Sequence, residues 1–354
     1  MTLFVVALLA GGGSQVLAAR AAAADAASRR AMLDNIGRNV LAPAYADLAA
    51  KAAALSAASD ALAAAPAAST LVAAQESWRQ TLVAWRRAQL YAHGPVEELG
   101  IYPRIQFWPP RRQNIERVLR GQQPLTEAAI QELGANSVGL STLEVLLFEG
   151  GADAAAQAAA FNGDAGRRRR EYARVLGHDV AAQTAKLAGT WQGKASYAAT
   201  FGAGGQEQLN VLVNDLVEAI EVGAANRLRL VLERHGEKQF RAELLEGGAS
   251  GTSQTGLLAL LTAGRAIALG GTGIGLDDYL RKINRPIAAR LETQFQKAID
   301  AVRALDVPLD AAAATREAAV ARAHEACHTL EVMLKTEVAS TLGVTLTFKA
   351  KDAD

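Results

Sequence analysis

Apolar residues recur at helical spacing through stretches dominated by alanine, and this constrains the fold more than any other feature of the chain. Between Ala21 and Ala68, Leu41, Tyr45, Leu48 and Leu55 follow at intervals of four, three and seven, which places them on one helical face. Alanine has the highest helix propensity of any residue. The β-branched and aromatic runs typical of strands are scarce, aromatics making up only 5% of the 354 residues. Half of the residues are hydrophobic, enough for a sizeable core in one large domain or two ordinary ones.

The same periodicity continues with punctuation that marks element ends. Ser69 is a plausible N-cap for the run through Val72, Trp78, Leu82, Trp85 and Leu90, and Gly94-Pro95 closes it. Pro103, Pro109 and Pro110 forbid a continuous helix over 100–110. Pro124 and Thr126 open a short helix that ends near Gly134, and Ser137 precedes another through Leu140, Leu143, Leu147 and Phe148, stopped at Gly150 and Gly151. A basic amphipathic helix follows from Asp164 to about Leu187. Its basic cluster, Arg167–Arg170 with Arg174, reads as a solvated helix start or an anion-attracting patch. The stretch Gly193–Gly205, rich in Gly, Ser and Thr, is the expected linker. Beyond it, helices are predicted over 206–226, 252–269, 276–305 and 311–341. The expectation is an all-α fold: two four-helix-bundle-like domains, residues 20–195 and 205–354, packed around a central cleft.

Residues 2–10 form a short apolar run, with Val16 and Ala18 at the spacing of a signal-peptidase site, so residues 1–18 are expected to be a signal peptide and the protein to be periplasmic or in the cell envelope. The run is too short to span a bilayer, so the mature protein should carry no transmembrane segment. Lys plus Arg is 37 and Asp plus Glu is 36, which offers no field to attract nucleic acid. Cys327 is the only cysteine, so no internal disulfide can form.

Four groups of residues could carry chemistry. Gly139–Gly150 reads GLSTLEVLLFEG, in which Ser141 and Glu144 lie one turn apart on one face. A neutral hydroxyl is a poor metal ligand, but Glu144 among leucines needs a partner or a cation, unless it lies on the helix's wet side. Arg104, Trp108 and Arg111 sit on the proline-stiffened loop, where they could hold an anion or face Glu144, or merely cover the core. Asp215 and Glu218, at i and i+3, offer oxygen ligands to a hard cation or iron, although acidic stripes are commonly solvated faces. His324-Glu325-Ala326-Cys327-His328 matches the His-Glu-x-x-His zinc pattern, and His328 with Glu331 forms a further His-x-x-Glu pair. A third zinc ligand is not evident, Leu334 standing where one protease class has histidine, so coincidence is the plainer reading.

Taken in order, Trp85-Arg86-Arg87, His93-Gly94-Pro95-Val96, Arg104-Ile105-Gln106-Phe107-Trp108-Pro109, Gly139 to Phe148 and the ending from Thr329 to Phe348 resemble the imelysin family over residues 36–354. The resemblance implies a two-domain helical protein of the cell envelope with a site between its domains, often tied to iron uptake. The family is classed as a metallopeptidase with a Gly-x-His-x-x-Glu metal motif. Only Gly139 and Glu144 carry over, because Ser141 replaces the histidine. The expected site therefore joins Ser141, Glu144, Arg104 and Trp108 to Asp215 and Glu218, with iron, zinc or no cofactor. The expected function is a non-catalytic envelope protein that binds or takes up metal. Its ligand would be a metal ion or a small anion, with an envelope protein as partner. The alternatives are an imelysin-type metallopeptidase, using Glu144 or the His324/His328 pair, and a metal-free interaction module.

Overall fold

The computed structural model describes residues 10–149, 153–233 and 245–347. Among them there is no strand; the fold is all-α. Most of the apolar run expected to direct export, residues 2–9, lies outside the described residues, as does the Gly150-Gly151 helix stop. No described helix is long and apolar enough to cross a membrane.

Helix α1 (Ala10–Ile36) passes through a π-helical turn, Gly37–Leu41, into α2 (Ala42–Ala64). Helix α3 (Ala68–Ala88) packs along α2. Short helices follow: α4 (Pro95–Glu98), α5 (Tyr102–Ile105), α6 (Arg112–Arg120), α7 (Glu127–Gln131), α8 (Gly139–Phe148) and α9 (Ala154–Ala159). The long α10 (Gly163–Thr190) lies against α2 and α8. Then come α11 (Tyr197–Thr200), a 3₁₀ turn (Phe201–Gly204) and α12 (Gly205–Ile220), which runs through a second π-helical turn, Glu221–Ala225, into α13 (Asn226–Glu233). After the 245–252 loop, α14 (Ser253–Leu269), α15 (Leu276–Ile283), α16 (Arg285–Arg303), α17 (Leu309–Thr315) and α18 (Glu317–Met333) complete the second half. A third π turn, Leu334–Val338, leads to α19 (Ala339–Thr341).

The boundaries follow local chemistry. Thr126 caps α7 by accepting from the Ala129 amide at 3.1 Å. Where one helix was expected over 276–305, the chain breaks at Asn284. This residue leaves helical geometry (φ −147°, ψ 88°) and its side chain caps α16, whose first turn holds Pro286, which has no amide to donate back to α15.

The expected linker is packed. Tyr197 and Phe201 join Tyr45, Tyr91 and Trp191 in an aromatic cluster with ring centroids 4.8–6.2 Å apart. Helix α1, counted by sequence with the first half, also binds the second. Asn35 donates to the Gly270 and Ile274 carbonyls, Arg29 to Gln206, and Tyr279 to Asp25, all at 2.8–2.9 Å. One continuous hydrophobic core runs through both halves.

Candidate functional site

Helix α8 begins at Gly139, whose φ is +74°. A Cβ there would lie 2.5 Å from the Ile105 carbonyl oxygen and closer still to that of Arg104, so only glycine fits. Nine of the ten α8 residues are buried, Ser141 and Glu144 included. The Ser141 hydroxyl donates to the Phe107 carbonyl, which ties α8 to the proline-rich loop. Glu144 Oε1 accepts from the Ser250 amide (3.0 Å) and hydroxyl (2.8 Å). Its Oε2 is buried without a hydrogen-bond partner. Burial pushes the Glu144 carboxyl up from 4.5 to about 7 against the pull of the Ser250 bonds, with Glu246 adding to the rise.

Close by, a cleft of about 590 Å³ opens between α3, the 89–108 segment and the α12–α13 helix with its π turn. Its floor is an ion network. Arg86, 3% exposed, and the half-buried Arg227 both pair with Glu246, and Gln106 donates to Glu246 Oε1 at 2.6 Å. Burial alone would raise the Glu246 carboxyl, but Arg227 and Arg86 outweigh it and hold it below its usual range. Burial and the neighbouring Arg86 charge push Arg227 down to about 10. Arg86 Nε and Gln106 Oε1 are buried without hydrogen-bond partners, so the network has capacity to spare.

The opposite wall is acidic. Asp215 accepts from the Ala92 amide (3.0 Å) and meets His93 Nδ1 at 2.8 Å; burial raises its carboxyl, and the His93 and Ala92 bonds oppose that rise. Glu218, Glu97 and the half-buried Trp108 also line the cleft. The loop bearing His93 turns at Gly94, where φ is +61° and a Cβ would come within 2.6 Å of the Tyr197 ring.

The structure thus brings Trp108, Asp215 and Glu218 to one cleft and places the other expected residues elsewhere. Ser141 and Glu144 lie behind its lining. Arg104 turns away from Glu144, to Asp179 (3.0 Å) and the Ile130 carbonyl (3.2 Å). His324 and His328 stand at the surface of α18. Glu331 there is held by Lys335 at 2.7 Å, and Lys335 also reaches Glu221 at 2.9 Å. Among the described residues no three His, Cys, Asp or Glu side chains converge on one point. Ser141, its hydroxyl spent on Phe107, and the buried Glu144, its Oε1 held by Ser250, leave one carboxylate oxygen, too few donors for a metal ion.

Arg86, His93 and Gln106 are the cleft residues that sequence reasoning passed over, together with Glu246. The first three were in view as motif letters. Glu246 follows no periodic run and carries no local signal of its partners.

These features define an all-helical protein whose two halves meet at a polar cleft over a buried arginine–carboxylate network. The model of the imelysin family (peptidase M75) matches residues 41–336, and the chain belongs to that family. It is 24% identical over 291 residues to "Iron-regulated protein A" of Synechococcus elongatus, covering 77% of this chain and 74% of the relative. Two solved structures share the fold. One, of a candidate iron-regulated protein A precursor from Parabacteroides distasonis, has a TM-score of 0.76 at 18% identity and covers 89% of this chain and 95% of its own. The other, an imelysin-like protein from Psychrobacter arcticus, has a TM-score of 0.75 at 20% identity, with 91% and 98% covered.

Proposed function

We propose that this protein is an exported, non-catalytic member of the imelysin family that serves iron acquisition in the cell envelope, and that its ligand enters the cleft between Arg86 and Asp215. One observation carries the reading. Ser141 stands at the motif's histidine position with its hydroxyl spent on Phe107, and Glu144 Oε1 is taken by Ser250, so the motif acts as a strut. Further polar capacity lies in the cleft, at Arg86 Nε and Gln106 Oε1 on its floor, opposite the acidic wall of Glu97, Asp215 and Glu218. Those carboxylates outnumber the arginines once Glu246 has neutralised one of the pair, so the cleft favours a cation, iron or the cationic group of a carrier. The iron assignment is supported by the names of the Synechococcus and Parabacteroides relatives. Export is supported by the apolar run at residues 2–10.

The test is an anaerobic titration of the full chain with ferrous ion, beside a casein digest. Binding of one equivalent, weakened about tenfold by Glu218→Gln, is expected, with casein left intact whether or not zinc is added. No iron uptake at micromolar concentration overturns the iron assignment. Casein cleavage abolished by a chelator overturns the non-catalytic one.

A further inference from the structure

Outside the cleft, α18 carries two histidines one helical turn apart. The His324 and His328 rings lie nearly parallel, 3° between their planes, with centroids 5.9 Å apart. Side chains at i and i+4 share a helical face, so two imidazoles so placed can reach one ion. The environment of His328 is also that of a ligand. Its Nδ1 lies 3.2 Å from Glu331 Oε2, and Glu331, 8% exposed, is itself fixed by Lys335. A neutral imidazole donating Nδ1–H to that carboxylate has its lone pair on Nε2. A carboxylate behind the histidine is the arrangement that orients metal-binding imidazoles and raises their basicity.

We propose that His324 and His328 form a two-imidazole surface site for a late first-row divalent ion, Cu²⁺ foremost and Zn²⁺ or Ni²⁺ more weakly. Glu331 acts as the positioning residue, and water fills the remaining coordination positions. Imidazole nitrogen suits these ions, and their affinities rise to a maximum at copper. Two protein ligands make the site weaker than a structural zinc centre and open to a further donor. Burial, His328 and Arg229 push the His324 imidazole down, and Glu325 and Glu331 oppose that shift. The Arg229 charge opposes a cation there, but Glu233 pairs with it at 2.5 Å, and Glu325 lies beside His324 in the chain. The site does not depend on the cleft, and Glu325 is assigned no catalytic part.

The experiment uses the full chain without a polyhistidine tag, stripped with a chelator and titrated with Cu²⁺. It is read by visible absorption and by the nitrogen hyperfine pattern in electron paramagnetic resonance. One equivalent bound through two imidazole nitrogens is expected. His324→Asn and His328→Asn should each weaken binding at least tenfold, Glu331→Gln should weaken it by about tenfold while stoichiometry is kept, and His178→Asn should change nothing. Circular dichroism checks that each variant is folded; all four positions are helical or partly exposed, so the fold should survive. Copper bound as tightly by the His324→Asn/His328→Asn double variant as by the parent, or a spectrum with a single nitrogen, overturns the proposal.

Discussion

Glycine at 139 and glutamate at 246 each answer a constraint that no other side chain meets. At Gly139 the left-handed backbone brings α8 against the Arg104 and Ile105 carbonyls, where a methyl group has no room. Gly139→Ala should destabilise the protein by about 2–4 kcal/mol, through strain plus displacement of the 104–107 backbone, read as a lower denaturant midpoint at unchanged m. Glu246 neutralises two arginines at once. Glu246→Ala leaves Arg86 buried and unpaired and should cost about 3–5 kcal/mol. The double variant Arg86→Met/Glu246→Met should recover part of that loss in the same unfolding assay, because apolar replacement of a whole buried pair is tolerated far better than its breakage. The first constraint was legible in the sequence as a motif letter without its reason. The second was not legible, because nothing near Glu246 in the chain names Arg86, 160 positions earlier.

At the scale of the element, α8 shows why helical pattern alone misplaces function. Its periodicity was readable, but a helix buried on nearly every side must satisfy its terminal carbonyls within the protein. Gln75 donates to Leu147 O at 2.7 Å. Arg169 reaches Val145 O and Leu146 O at 2.7–3.1 Å. The basic run at 167–170 is therefore not a uniform solvated patch. Arg167 pairs with Glu171 at the surface, Arg168 donates to the Val118 and Gln123 carbonyls, and Arg169 closes α8. Burial pushes the Arg169 guanidinium below its usual range, and nearby Glu149 opposes that shift. Arg169→Ala should lower stability by about 2–3 kcal/mol by orphaning buried carbonyls, whereas Arg167→Ala should stay within about 0.5 kcal/mol. Equal effects in thermal unfolding would return the run to a surface role. Sequence spacing could not separate these arginines, since the partners of Arg168 and Arg169 lie 20–50 residues away while that of Arg167 is one turn along its own helix.

Over the whole molecule, the helices were legible because alanine and leucine periodicity reports burial directly, and the joining of the halves was not, because it rests on long-range contacts, apolar and polar, between residues far apart in the chain. Glu144 with Ser250, Arg86 with Glu246, and His93 with Asp215 each connect the first 150 residues to residues beyond 210. The first of these titrates near neutrality. The Glu144 carboxyl sits at about 7 in the folded chain against 4.5 in its ordinary state, so the folded protein holds this proton more tightly than the unfolded one. Stability from this group is complete below about pH 4.5 and is lost as pH rises through about 7, a difference of about 3 kcal/mol. Asp215, also raised, slopes the same way, and Glu246, held low by its arginines, slopes the other. The Glu144 share therefore has to be isolated by difference. The unfolding free energy of the parent minus that of Glu144→Gln should fall by about 3 kcal/mol from pH 4 to pH 8, because the amide carries no titrating proton. A flat difference would mean that Glu144 is ionised throughout, with its second oxygen facing a cation rather than the dry interior between α8 and the Ser250 loop.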